Sequence, residues 1–390
     1  MGKYTKVRRL GAILLSMIAI LTLAACGNES PTSTPVTVPA TATTAAMPTQ
    51  AALEATATTA LAGITPSTSA LQGTVKVGIM LPLTGSQAEV GSDEKRGYDM
   101  AIQDINGKGG ISGAQIEAVY EDTKGDPTTS AQAAQRLISE EKVVAILGEY
   151  SSSTTAATYG VCKQAQQLCM LVGGSSISLD TDFGGSPWYW HLSPYGTYYA
   201  TTAKAFFQSL SPAPTSIAIV YEDTLYGSSL SNALKDALAD SDIKVVSFES
   251  FTAGSSDYSS LLTKVQQTNP DILFINSFPQ DTIALWTQAK QLNFAPKMMI
   301  GTAGVSFPGF QTTLGKDANF AADIEVWVPS VSYTGTKDWV ARFNTAYGKD
   351  PTYWAPISYI NLEAFAKAVS AAGSLDQAKI EAELGKVKYD

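Results

Sequence analysis

Histidine is almost absent from this chain of 390 residues: His191 stands alone. That excludes zinc sites built on several imidazoles and disfavours Ser-His-Asp catalysis, for which His191 is the single available imidazole. Charge is also scarce, at 16% of residues, and its balance is −9. Clustered Lys and Arg, which nucleic-acid phosphates require, are therefore missing, and electrostatic docking to an anionic bilayer is disfavoured. There is no Gly-Lys-Ser/Thr phosphate loop and no G-x-S-x-G elbow. The Gly-rich run Gly107–Gly113 follows a predicted helix and precedes a strand, the wrong context for a dinucleotide loop. Cysteines number three: Cys26, Cys162 and Cys169. Nothing in the sequence calls for a metal or a cofactor.

Hydrophobic residues make up 45% of the chain, enough for a sizeable core in about two domains. Residues 1–25 read as an export signal. Lys3, Lys6, Arg8 and Arg9 precede an uncharged apolar run, Leu10–Ala25, that is shorter than a membrane span. The run ends Leu23-Ala24-Ala25-Cys26, which resembles a bacterial lipobox. That resemblance implies cleavage before Cys26 and acylation of its sulfur; an ordinary signal with an incidental cysteine is the alternative. Several acyl chains hold a protein on a membrane where one would not. Residues 26–72 are mostly Thr, Ala, Pro and Ser, without an aromatic or a period, and read as a disordered tether.

From Val75 a β-α-β-α-β-α-β pattern runs to about residue 172, and a second runs from about 217 to 300. Short apolar runs alternating with helical segments predict parallel strands, and the repeat predicts two α/β lobes with a cleft between them. Val143–Ser176 organises the first lobe. It reads as a strand, a turn with Ser151, Ser152, Ser153 and Thr154, a helix, a second strand (Met170–Val172) and the turn Gly173–Ser176. Both turns fall at carboxyl ends of strands, where such sheets bind ligands. Hydroxyls at a helix start serve equally well as N-caps. Cys162 and Cys169, seven apart, read either as a disulfide in an exported protein or as two small buried hydrophobes. Asp122, Asp126, Glu222 and Asp223 sit near strand ends as catalytic, capping or solvated acids.

Val77–Gly85 with Gly91, Asn106–Gly113, the two hydroxyl turns, and Val220–Gly227 occur together in an order that resembles the leucine/isoleucine/valine-binding family, type I periplasmic binding proteins of ABC importers. The likeness spans about 73 to 390. It implies two Rossmann-like lobes joined by three crossing strands: residues 73–193 with 330–390 as the N-terminal lobe, and 194–329 as the C-terminal lobe. It also implies a ligand carboxylate held by Ser152, by the backbone of Gly174 and by the hydroxyl of Ser176, with Tyr226 closing from the second lobe. The expected ligand set is Ser152, Ser153, Gly174, Ser175, Ser176 and Tyr226.

Two departures stand out. Amino-acid binders of the family place an acid shortly after the strand matched by Met298–Ile300, to pair with the ligand ammonium; here Ala303 stands there. Glu89, Glu149 or Asp223 could replace it, or the ligand lacks an ammonium. Val90 stands where leucine binders carry an aromatic, and Trp188–Trp190 reads as hinge packing or a stacking surface. Family members also continue past a segment like Ile380–Asp390, so the chain reads as cut short.

The expectation is a monomeric lipoprotein on the outer side of a bacterial cell membrane. It takes a branched-chain amino acid or a related small polar ligand to an ABC permease and catalyses nothing. Its rivals are a ligand-sensing ectodomain of the same fold and, behind that, a secreted hydrolase.

Overall fold

The computed structural model describes residues 71 and 73–389; the signal, Cys26 and the tether apart from residue 71 lie outside them. The first half runs β1 (Thr74–Leu81), α1 (Ala88–Gly107), β2 (Gln115–Asp122), α2 (Pro127–Ser139), β3 (Ala145–Gly148), α3 (Ser152–Ala165), β4 (Cys169–Leu171), α4 (Ile177–Phe183) and β5 (Tyr189–His191). These strands form one parallel sheet in the order β2-β1-β3-β4-β5. Then follow α5 (Gly196–Ser209), β6 (Ser216–Glu222), α6 (Leu225–Leu238), β7 (Lys244–Phe251), α7 (Ser259–Gln266), β8 (Ile272–Asn276), α8 (Pro279–Gln291), β9 (Met298–Gly301) and α9 (Pro308–Leu314). Their strands pair in parallel in the order β7-β6-β8-β9. The chain closes with α10 (Thr336–Tyr347), α11 (Trp354–Ala372) and α12 (Gln377–Leu384).

Side chains alternate across a strand, and β1 divides accordingly. Val75, Val77, Ile79 and Leu81 face Tyr98 and Ala101 of α1 with Leu362 and Phe365 of α11, all buried. Met80 faces the other way, onto Ala133, Ala134 and Leu137 of α2. Removing the fully buried Phe365 ring would cost about 3–5 kcal/mol. Asn361 secures α11 to this lobe: its Oδ1 accepts from the Tyr98 hydroxyl at 2.9 Å and its Nδ2 donates to the Met170 carbonyl at 3.2 Å.

Helix starts follow local chemistry. Asp126 caps α2 by accepting from Thr129 N–H at 2.7 Å, with Pro127 in the first turn. Helix α1 begins at Ala88. It runs through Gly91, a poor helix former, because a Cβ there would stand 2.2 Å from the Pro82 carbonyl oxygen. Trp188 and Trp190 pack against the first core. The sulfurs of Cys162 and Cys169 are bonded, with Cα atoms 6.5 Å apart.

Candidate functional site

In both sheets the strand order reverses beside the first strand, and there the carboxyl ends open a crevice. The two crevices share one cavity, whose empty space of about 380 Å³ includes its opening to solvent; crevices of this kind are favoured places for small ligands. The turn after β3 supplies Tyr150, Ser151 and Ser152; the turn after β4 supplies Gly174 and Ser175. From the second sheet come Tyr226 after β6, Phe278 after β8 and Ala303 after β9. Tyr150 meets Phe278 across the gap at 5.2 Å between centroids, and on the second lobe Tyr226 stacks on Phe278 at 5.2 Å.

The hydroxyl of Ser152 links the two turns of the first lobe. Its Oγ accepts the N–H of Ser175 at 3.1 Å and of Ser176 at 3.2 Å. Those two N–H groups are thereby occupied by the protein itself, so the second turn offers less open backbone than the sequence suggested. The Ser152 proton has no acceptor among the described residues and remains available to an anion. Capping follows the ordinary pattern one residue earlier: Ser151 accepts from Thr154 N–H at 3.3 Å. The N–H groups of Ser152 and Ser153 open α3 without intrahelical partners, at the positive end of its dipole. Gly174 adopts φ +90, and a Cβ there would lie 2.6 Å from Leu179. Only glycine makes that turn without strain.

Ser152, Gly174, Ser175 and Tyr226 of the expected set line the cavity; Ser153 and Ser176 do not. The Ser153 side chain is half-buried on the first turn of α3. Ser176 spends its hydroxyl as the N-cap of α4, accepting from Ser178 N–H at 3.3 Å. Ala303 does line the cavity, where an acid was sought. None of the proposed substitutes reaches it. Glu89 Oε1 accepts from Gly309 N–H at 3.3 Å, joining α1 to α9. Asp223 holds Ala253 N–H at 3.2 Å. Glu149 is fully buried in the first lobe, where burial pushes it up to about 7 against hydrogen bonds from neighbouring hydroxyls and Tyr150 N–H.

The residues that sequence reasoning missed are Tyr199 of α5, Tyr353 and Trp354 at the start of α11, and Ile324 and Glu325 in the irregular segment after α9. An acid inside the apolar run Ile324-Glu325-Val326-Trp327-Val328 was the available signal for Glu325. Its carboxylate is the only one on the cavity wall among the described residues.

Hydrolysis finds little support in this arrangement. Asp122 ties its loop by accepting from Leu83 and Lys124 N–H, both at 2.9 Å. His191 Nε2 lies 2.9 Å from the Gly173 carbonyl and outside the cavity wall. Among the described residues no cluster of three His, Cys, Asp or Glu is placed to hold a metal.

Two parallel α/β lobes sharing a cavity at their strand ends define a type I periplasmic binding protein fold. The chain belongs to the periplasmic binding protein family, whose model matches residues 74–390. It is 26% identical over 346 residues to the Leu/Ile/Val-binding protein homolog 7 of Brucella melitensis, covering 85% of this chain and 84% of that one. The crystal structure of a leucine-binding protein from Thermotoga maritima has the same fold, with a TM-score of 0.73 at 23% identity over 80% of this chain and 87% of that one. The branched-chain amino acid transporter substrate-binding protein of Streptococcus pneumoniae, solved with isoleucine, gives a TM-score of 0.72 at 21% identity over 81% of this chain and 88% of that one.

Proposed function

We propose that this chain is the extracytoplasmic solute-binding lipoprotein of an ABC importer, anchored through Cys26 and tethered by residues 26–72. It acts as a monomer. Residues 73–193 with 330–390 form one lobe and 194–329 the other. The cavity between them takes a branched-chain amino acid or a related small polar solute and hands it to the permease. Ser152, the α3 N-terminus and the Gly174-Ser175 turn receive the solute carboxylate, and Tyr226 covers it from the second lobe. Binding without turnover is the function.

The observation that carries this reading is the convergence of the β3–α3 and β4–α4 turns of one sheet with Tyr226 and Ala303 of the other on a single cavity. The relatives' names and the isoleucine held by the Streptococcus pneumoniae protein support the solute class. A thermal-shift screen of the exported chain against amino acids, short amides and small carboxylic acids tests it, because a ligand that prefers the native state raises stability by mass action. The expected result is stabilisation by a carboxylate-bearing solute that is recovered unchanged. Chemical conversion of the solute, or silence across the whole panel, would reject it.

A further inference from the structure

The Glu325 carboxyl on the cavity wall has no counterpart among the described residues. Both its carboxylate oxygens are buried and accept no hydrogen bond from any described residue. No Lys or Arg among the described residues pairs with it, although Asp93 in the first lobe is paired with both Arg96 and Lys349. A buried acid left without donors is costly, and a site that keeps one has a reason to do so. Around it stand aromatic walls: Tyr150, Tyr199, Tyr226, Phe278, Tyr353 and Trp354 line the same cavity. The Tyr150 hydroxyl and the Trp354 Nε1 are likewise buried without partners. Aromatic faces attract cations, more strongly once water is excluded. Another part of the cavity wall, at Ser152 and the α3 N-terminus, favours an anion.

We propose that Glu325 is the anionic partner of a solute nitrogen, and that the cavity selects a compact zwitterion with a carboxylate at the Ser152 end and an N–H-bearing ammonium at the Glu325 end. This rests on the reading of the cavity as the solute site. The acid missing at Ala303 is thus supplied from a different element, the segment that follows α9. An ammonium with N–H groups satisfies the carboxylate oxygens and meets the ring faces. A quaternary nitrogen supplies charge alone, and a carboxylic acid without an amine supplies neither.

Proton linkage gives the arrangement a signature. Burial pushes the Glu325 carboxyl above the ordinary carboxylate range, with the nearby Ser306 hydroxyl opposing the rise and the Asp323 charge adding to it. The other titratable groups facing it are Tyr150, Tyr199 and Tyr353, each driven further upward by burial and therefore neutral. Without a solute, Glu325 therefore favours its protonated form. An arriving ammonium favours the carboxylate, and that proton leaves to solvent while no bond of the solute changes. Affinity therefore rises with pH through the raised range of that carboxyl and then levels.

Calorimetry on the full exported chain tests this, in two buffers of different ionisation enthalpy near pH 6.5. The probes are L-isoleucine, L-phenylalanine, their amine-free carboxylic acids and their N-trimethyl derivatives. The expected result is binding of an amino acid with release of about one proton, and about 30-fold or greater weakening for the other two classes, the usual consequence of leaving one member of a buried pair alone. Glu325→Gln should weaken amino-acid binding to a similar degree, abolish proton release and leave the amine-free acids unaffected. Its melting curve without solute reports that it folds. Undiminished amino-acid binding by Glu325→Gln, amine-free acids binding as tightly as amino acids, or no binding by any probe overturns the proposal. Ser152→Ala separates the two failures: if it leaves solute affinity untouched, the cavity reading itself falls, whatever Glu325 does.

Discussion

The phenol of Tyr226 donates to Thr302 Oγ1 over 2.7 Å, and both side chains are buried. Thr302 passes its own proton to Asn276 Oδ1 at 2.9 Å, and Asn276 returns to α6 by donating to the Gly227 carbonyl at 3.0 Å. This closed network fixes the ring that caps the cavity from the second lobe. Thr302→Val removes one acceptor and one donor in a dry place, so it should destabilise the chain by about 1–3 kcal/mol in urea denaturation. Solute affinity should fall with it, because Tyr226 loses its anchor. Tyr226→Phe keeps the ring face and should cost about 1 kcal/mol of stability with a smaller change in affinity.

Ser152 and Ser176 should behave differently although both were expected to touch the solute. Ser152→Ala strips the acceptor from the N–H groups of Ser175 and Ser176 and the donor from the solute. Calorimetry should show binding weaker by about 1–3 kcal/mol. Ser176→Ala removes only the cap of α4, at about 1 kcal/mol of stability, with affinity preserved. Equal losses of affinity would contradict this geometry.

Stability of the solute-free chain should decline as pH rises. Burial pushes Glu149 and Glu222 each up to about 7 from an ordinary 4.5, and holds Glu94 well above it. Between the two values the native state keeps protons that the unfolded chain has lost. Stability is therefore full below about 4.5 and falls through the window to about 7, by up to about 1.4 kcal/mol per pH unit for each acid. Melting temperatures across pH 4.5–8 should show the slope, and Glu222→Gln should flatten it.

Reduction should lower the melting temperature. The Cys162–Cys169 link spans a sequence separation of 7 between α3 and β4, and the chain-entropy account gives such a short loop about 2 kcal/mol. A thiol titration before and after reduction, read beside the melting curve, checks it. An unchanged melting temperature would mean the thiols are free in solution.

Cys26→Ala should move the exported protein from the membrane fraction to the soluble fraction, because the acyl attachment is lost. Fractionation with immunoblotting reads the outcome, and retention would reject the anchor.

The sheets were legible because parallel strands buried on both faces leave apolar runs such as Val75–Leu81 and Ile272–Ile275, and because Gly and Ser mark their ends. Ser152, Gly174 and Tyr226 followed from topology and resemblance, since each sits right after a strand. Tyr199, Tyr353, Trp354 and Glu325 were not legible. They come from helix starts, helix faces and an irregular segment, and only the chain's return across both lobes brings them to the cavity. Local periodicity carries no information about that return. Ser176 was misplaced for a different reason: a hydroxyl before a helix can face a solute or its own backbone, and the sequence is the same in both cases.

His191 has a practical consequence. As the chain's single imidazole, bonded to the carbonyl of Gly173 beside the Gly174-Ser175 turn and driven toward its neutral form by burial, it is a resident reporter. Its ring protons give one set of imidazole resonances with no others to confuse them. Chemical shift and line width there would follow occupancy and opening of the adjacent turn in real time, without a label.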